Sequence, residues 1–527
     1  MINTWWVTRP KRRLDSIPEE LATFSSVVMG QTWGASRDLH IAFEDALEEN
    51  QLKKVGQRRD HTGSGGRTHM SWLFSLGLIF RHESTGQMYL TLAGEAIVNG
   101  DPLSDVMTSQ LLRFQYPSPY SLGRGVDLSP RFRIRPFRFL LRLMADPYLG
   151  YLTEKEISLI VIEEAENESE SCYEKVRNHI LSYREKGIES LPSEVEYLNT
   201  YYPKGTPREV APYAYFLDIG NTLVNYLEIT QLIRRVKYSD EKETQIEITP
   251  DRIQEVELLL HNRSSFIDRP NEQEYFQRKF GIDPKHHKDT RDLEHSQVIT
   301  LRQIQEAKIK RFFVTKSLST PIYRIDDDII KEVSAESSID YQTVSDTLNR
   351  LYPQGAPNGF MTEYYKMAFS GKEEAIPFEI ATTNLFREVF HFDAIHLGQC
   401  GRVPDVLIHS PSDGWQAIFD NKAYSAYSVS HDHENRMRYT YVPKIQSYSE
   451  FKDAPLAFFS YIAGGFGKNI EANIHTLHEG TGVNGSAATV STIIKMVDMV
   501  QNGHKALSHE TIKEMFSCNG LVRLSEK

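Results

Sequence analysis

Apolar positions recur at helical spacing along "SRDLHIAFEDALEENQLKK", residues 36–54, where Leu39, Ala42, Phe43, Ala46 and Leu47 form one stripe behind Ser36, a candidate cap. A glycine-rich break, "HTGSGG", leads into "RTHMSWLFSLGLIFRHESTGQMYLTLAGEAIVNG". There the pattern predicts a helix ending near Gly77, a strand over Leu78–Arg81, a turn at Ser84–Gly86, a strand over Gln87–Leu90 and a helix opening at Thr91. Helix, two-stranded wing and helix together make a winged helix-turn-helix. Further on, "RPFRFLLRLMADPYLGYLTEKEISLIVI" reads as helical, with Thr153 as a cap. "NTLVNYLEITQLIRRVKYSDEKETQIEITPDRIQEVELLLHN" again gives a helix, two strands around "SDEKET" and a helix start at Thr249-Pro250, a second winged-helix-like subdomain.

These subdomains, near 36–100 and 215–262, place a recognition region over residues 1–285. Residues 286–335 are polar and charged and read as a linker with some helix, and 336–527 form a further domain. In the first subdomain Met70, Leu73, Phe74 and Leu76 fall on the inner face. Arg67, Thr68, His69 and Ser71 are left to enter a major groove, with Arg58 and Arg59 placed for phosphates. Winged helices also dock proteins, so the pattern alone leaves both uses open.

A chain of 527 residues exceeds what one core usually supports, and its ordinary apolar content marks it as folded. Cys172, Cys400 and Cys518 are far apart and form no CxxC pair, which argues against a disulfide framework or zinc ribbon. No apolar run reaches membrane-span or signal-peptide character, so no membrane partner and a cytoplasmic location are expected. The net charge of −11 speaks against a polyanionic partner until its distribution is read. Arg113, Arg124, Arg131, Arg133, Arg135, Arg138 and Arg142 face only Asp127, a basic patch, and "EKEISLIVIEEAENESESCYE" follows as an acidic run. Solvated helix faces would look the same.

The chemistry lies near the C-terminus. "RVPDVLIHSPSDGWQAIFDNKAY" holds two β-rich runs, Val403–His409 and Trp415–Phe419, around the turn-forming "SPSDG". Side chains alternate across a strand, so Asp420 and Lys422 share a face, and a hairpin brings Asp405 beside them. An Asp-x-Lys alone is most simply a strand-end salt bridge; the second carboxylate on a partner strand makes it a site. Asp405, Asp420 and the backbone carbonyl of Asn421 are oxygen ligands suited to Mg²⁺, with the Asn421 side chain incidental. Lys422 is placed to orient or deprotonate an attacking water and to offset transition-state charge, the needs of phosphodiester hydrolysis.

This constellation is the PD-(D/E)xK nuclease signature. "PFEIATTNLFREVFHFDAIHLGQCGRVPD", "DNKAYS", "ENRMRYTYV" and "FFSYIAGGFGKNIEANIHTLHEGTGVNGSAATVSTIIKMVDMV" resemble the FokI-like cleavage domain of type IIS restriction endonucleases, roughly over residues 335–527. The resemblance implies catalytic positions at Asp405, Asp420 and Lys422, and a supporting acid at Glu379. It also implies that Glu434 and Arg438 pair across a dimer of nuclease domains, although an i,i+4 pair within one helix would have the same spacing. "LLRFQYPSPYSLGRG", "RPFRFLLRLM" and "YLTEKEISLIV" are similar to the recognition region of the BstNBI and AlwI group. That adds Arg113, Tyr116, Arg131, Arg133 and Arg135 as DNA-facing.

The fold class expected is α/β (α+β overall): a helical, winged-helix-type DNA-recognition region followed by a PD-(D/E)xK domain whose mixed central sheet is flanked by helices. The resemblance implies a type IIS restriction endonuclease that reads an asymmetric double-stranded DNA site and cuts outside it at a fixed distance with Mg²⁺. A separate DNA methyltransferase would protect the host. A strand-specific nicking enzyme is the near alternative, and a non-catalytic winged-helix regulator the alternative of another class. "AGGFGKN" lacks the spacing of a phosphate loop, and no metal site is expected at His286 and His287.

Overall fold

In a computed structural model of the chain, the stripe at residues 36–54 forms the helix Arg37–Glu49, with Phe43, Ala46 and Leu47 buried. Ser36 precedes it but makes no side-chain cap, because its ψ of 87° falls short of the extended conformation a capping serine adopts. The structure describes all residues except 35, 57, 59, 124–125, 204–212, 239–241, 263–264, 294–300, 399–402, 502–506 and 525–527. Arg59, Arg124 and Cys400 therefore lie outside the described residues. Two units emerge: Met1–Lys316 with Asp326–Tyr352, and Ser317–Ile325 with Pro353–Lys527. The helices Asp327–Ser337 and Tyr341–Leu351 thus group with the first unit. Among the described residues no helix is long and apolar enough to cross a membrane.

In the first unit the glycine-rich break opens the helix Ser64–Ser75. Gly77 then reverses the chain at φ +72°, and strands β1 (Ile79–Arg81) and β2 (Met88–Leu90) pair antiparallel. The next helix, Leu92–Val98, is capped by Thr91, whose hydroxyl accepts from the Gly94 amide. Trp72 is fully buried and its indole donates to the Tyr226 hydroxyl at 2.7 Å, tying this helix to Ala214–Glu228. The later two strands, β4 (Ile233–Val236) and β5 (Gln245–Ile248), gain a third, β3 (Leu152–Thr153), in the order β3-β5-β4. Thr153 also caps the following turn, in a reciprocal box with Glu156. Thr249 instead donates to the Gln231 carbonyl, and Pro250–Arg252 form a 3-10 turn before the helix Ile253–His261.

Among the described residues, most of the arginine run is engaged by protein partners and only Arg133 is exposed. The acidic run folds back alongside it, with the Arg133 amide donating to the Glu166 carbonyl at 2.7 Å. Arg131, Arg135 and Arg142 then pair with Glu166, Glu168 and Glu170 at 2.8, 2.6 and 2.5 Å. Arg138 donates to the carbonyls of Leu259, Leu260 and Asn262, satisfying the end of the helix Ile253–His261.

The second unit is built on a six-stranded mixed sheet ordered β11-β10-β9-β8-β7-β6. Its strands are β6 (Asp393–His396), β7 (Val406–Ser410), β8 (Trp415–Lys422), β9 (Leu456–Ala463), β10 (Asn484–Thr489) and β11 (Gly520–Leu521). The expected hairpin is β7 and β8, antiparallel with Val406 opposite Phe419, while β8 and β9 run parallel with Asp420 opposite Tyr461. The apolar runs are continuous because both faces are covered. Ala417, Phe419, Phe458 and Ile462 join a core with Phe378, Leu385 and Phe386 of the helix Ala375–Glu388. Ile418, Phe459 and Tyr461 point into the opposite core with Ile474 and Leu477 of the helix Ile470–Thr481.

Candidate active site

Three backbone facts bring the candidate residues together. The Asp405 amide donates to the Phe419 carbonyl at 3.1 Å, which sets Asp405 beside the end of β8. Asp420 and Lys422, two apart on β8, emerge on one face. The Asn421 amide between them donates to Asp405 Oδ2 at 2.6 Å. Lys422 Nζ consequently lies 2.8 Å from Asp420 Oδ2, 3.0 Å from the Asn421 carbonyl and 3.7 Å from Asp405 Oδ2. Burial and the nearby Asp420 push the Asp405 carboxyl well above its ordinary range, against the pull of Lys422. Burial also opposes charge on Lys422, but Asp420 and Asp405 together raise its pKa.

Two crowded carboxylates and an inward carbonyl favour a cation, and the Lys422 ammonium already stands among all three as one. Among the described residues no three His, Cys, Asp or Glu side chains gather into a metal-holding group. The donor set is instead oxygen only and sparse, which suits a Mg²⁺ ion that keeps several waters. Asp405, Asp420 and the Asn421 carbonyl are the residues that could hold it.

The Asn421 side chain is not incidental. It points to the opposite face, where Nδ2 donates to Thr382 Oγ1 at 2.6 Å and to the Phe378 carbonyl at 3.4 Å, and Tyr364 OH lies 2.9 Å from the same Thr382 oxygen. The reason is strand alternation: with Asp420 and Lys422 facing the site, Asn421 must face the helix Ala375–Glu388 and find polar partners there. Glu379 lies on this helix and meets His396 Nε2 at 2.8 Å.

Aromatic groups stand around the lysine side. Burial and Asp420 push the Tyr441 hydroxyl up to about 12, and burial with Lys422 lowers His433. Tyr427 OH lies 2.8 Å from His433 Nδ1. "AGGFGKN" is a strap for the same segment: the Gly465 amide donates to the Tyr424 carbonyl and the Gly467 amide to that of Tyr427. A Cβ at Gly467 would meet only the rotatable Ser428 hydroxyl, at 2.4 Å.

Glu434 and Arg438 meet within their own chain at 3.8 Å. The other candidates sit in the first unit. Thr68 is exposed on the helix Ser64–Ser75, and Arg67 is partly exposed, 3.6 Å from Asp60. His69, expected to face a groove, is instead buried with Nδ1 2.8 Å from Glu20, because the helix turns this position toward Ile17–Val27. Arg58 is engaged by Asp45 and Glu48, and Arg113 donates to the Ile282 carbonyl. Tyr116 is buried on the Trp6 carbonyl. Arg131 and Arg135 are held by glutamates, whereas Arg133 is exposed with its guanidinium 5.3 Å from the Phe266 ring centroid.

Sequence reasoning missed His396, Thr382, Tyr364 and Tyr441. Thr382 had a signal, three residues after Glu379 on the same helical face. His396 lay inside the family-like "HLG" without a role being read for it, and Tyr364 had no signal, since its contact is set by how helices pack.

Residues 338–523 match the FokI cleavage-domain family, and residues 74–351 match the AlwI restriction endonuclease family. No curated protein matches the chain. Two solved structures of restriction endonuclease FokI, the second bound to DNA, cover 99% of this chain and 100% of theirs at 14% and 13% identity, with TM-scores of 0.29 and 0.28. The BpuJ1 endonuclease binding domain, in complex with pyrene- and phenanthrene-modified DNA, covers 53% of this chain and 96% of its own at 13% identity and a TM-score of 0.34. Scores this low leave identification to the family matches.

Proposed function

This chain belongs to the AlwI restriction endonuclease family and carries a FokI-type cleavage domain, which makes it a type IIS restriction endonuclease, a DNA hydrolase; on that premise we propose how it works. The first unit reads an asymmetric double-stranded site, using winged-helix-type subdomains, and the second hydrolyses phosphodiesters at a fixed distance outside it. The observation that carries the catalytic half is the meeting of Lys422 with Asp405, Asp420 and the Asn421 carbonyl.

Asp405, Asp420 and the Asn421 carbonyl would hold Mg²⁺. Bound there, the ion would supply Lewis acidity at a phosphoryl oxygen and a more acidic water. Lys422 orients the attacking water and offsets charge as the phosphorus becomes five-coordinate. Glu379 supports the site from its helix. Among the DNA-facing candidates, Arg67, Thr68 and Arg133 are the described residues whose exposure suits direct contact, while Arg58, Arg113, Arg131 and Arg135 shape the surface through their partners.

One nuclease unit holds one such site, so double-strand cleavage uses two copies associating on DNA. Glu434 and Arg438 are suited to that exchange, because an i,i+4 pair is worth only about 0.2–0.5 kcal/mol and is readily given up for a partner. A separate methyltransferase protects the host sites.

The test is Asp420→Ala. With Mg²⁺ it is expected to cut at least about 100-fold more slowly than the parent enzyme while binding its DNA site equally well. Cleavage at the parent rate would remove Asp420 from the mechanism, and lost binding would mean that the two halves are not separable.

A further inference from the structure

Glu379 is not free to choose its orientation. Its Oε2 lies 2.8 Å from Nε2 of His396, the last residue of β6, and both side chains are largely buried, with 13% and 20% exposed. His396 is paired with Val406 on β7, and the next amide, Leu397, donates to the Asp405 carbonyl at 2.8 Å. The imidazole therefore links the helix Ala375–Glu388 to the backbone that positions Asp405. The chain closes tightly over the contact: a Cβ on Gly398 would lie 2.4 Å from Glu379 Oε2 and 2.9 Å from His396 Nε2. Behind burial and Asp420, the Glu379 charge adds to the upward push on the Asp405 carboxyl.

We propose that His396 is a positioning residue for cleavage: its Nε2–H fixes Glu379 Oε2 so that Oε1 is presented to a water of the hydrated cation held by Asp405 and Asp420. This rests on the proposed catalytic site. A carboxylate that binds a coordinated water must be fixed in rotation, and a hydrogen bond from an imidazole on a packed strand does that. Without it Glu379 keeps its charge but loses its aim. Such outer contacts typically matter by about 10–100-fold in metal affinity or activity.

The experiment measures single-turnover cleavage of a long double-stranded DNA of known sequence by the full-length enzyme across a Mg²⁺ titration. His396→Phe keeps the aromatic volume and removes the donor, His396→Gln restores a donor, and Glu379→Gln and the double variant close the cycle. His396→Phe is expected to raise the Mg²⁺ concentration for half-maximal cleavage and to slow the reaction by about 10–100-fold. DNA binding should be unchanged, and His396→Gln should recover most of the loss. In the Glu379→Gln background, His396→Phe should add less than about a twofold effect. Full additivity in that cycle, or a lower melting temperature with unaltered Mg²⁺ dependence, would make His396 merely structural. If Glu379→Gln itself cuts like the parent enzyme, the catalytic role of Glu379 fails first, and the proposal with it. If His396→Phe does not fold, His396→Leu takes its place in the same cycle.

Discussion

At the scale of single residues, the meaning of "DNK" was half legible. Strand alternation put Asp420 and Lys422 on one face, and their 2.8 Å contact follows from it. The same alternation sent Asn421 to the other face, but nothing in the sequence told which helix would meet it there. Thr382 receives its amide, so the asparagine fixes the turn of β8 that aims its own carbonyl at the site. Thr382→Val should leave that buried amide with only its long contact to the Phe378 carbonyl, at a cost of about 1–3 kcal/mol, seen as a lower denaturation midpoint. It should also raise the Mg²⁺ requirement for cleavage. A stability loss with no change in Mg²⁺ requirement would confine Thr382 to packing.

Secondary-structure elements were legible where one face is apolar or a cap is unambiguous. The helix Arg37–Glu49, the β1/β2 hairpin and the Thr91 and Thr153 caps all follow local rules. The arginine run misled because its partners are not local. Of the positive charge read as a DNA-facing patch, Arg131, Arg135 and Arg142 are matched by Glu166, Glu168 and Glu170 on the acidic stretch that follows in sequence and folds back beside it. Only the folded chain shows that the two runs are neighbours, and His69 failed for the same reason, its buried partner Glu20 lying far away in sequence. The consequence is measurable in salt. Arg133→Ala should reduce the slope of log affinity against log salt by about one phosphate contact, and Arg142→Ala should leave it unchanged. Equal slopes for the two variants would mean that Arg133 does not touch the backbone of DNA.

For the whole molecule, the proposed division of labour rests on separate cores in each unit, one in the first and two in the second, which cover the two faces of its sheet. On the proposed scheme each nuclease unit cuts one strand per visit, and association of two copies should limit the second cut. Arg438→Ala is expected to slow second-strand cleavage more than the first, read as nicked circles accumulating before linear DNA. Equal slowing of both strands would exclude a pairing role. The central claim is that recognition and hydrolysis are separated in space, and sequencing the ends of a long DNA of known sequence after digestion with Mg²⁺ tests it most directly. Every end is expected to lie at one constant offset on each strand from a single asymmetric sequence that is itself left uncut. Ends scattered without a common neighbour, or falling inside a palindrome, would contradict that separation.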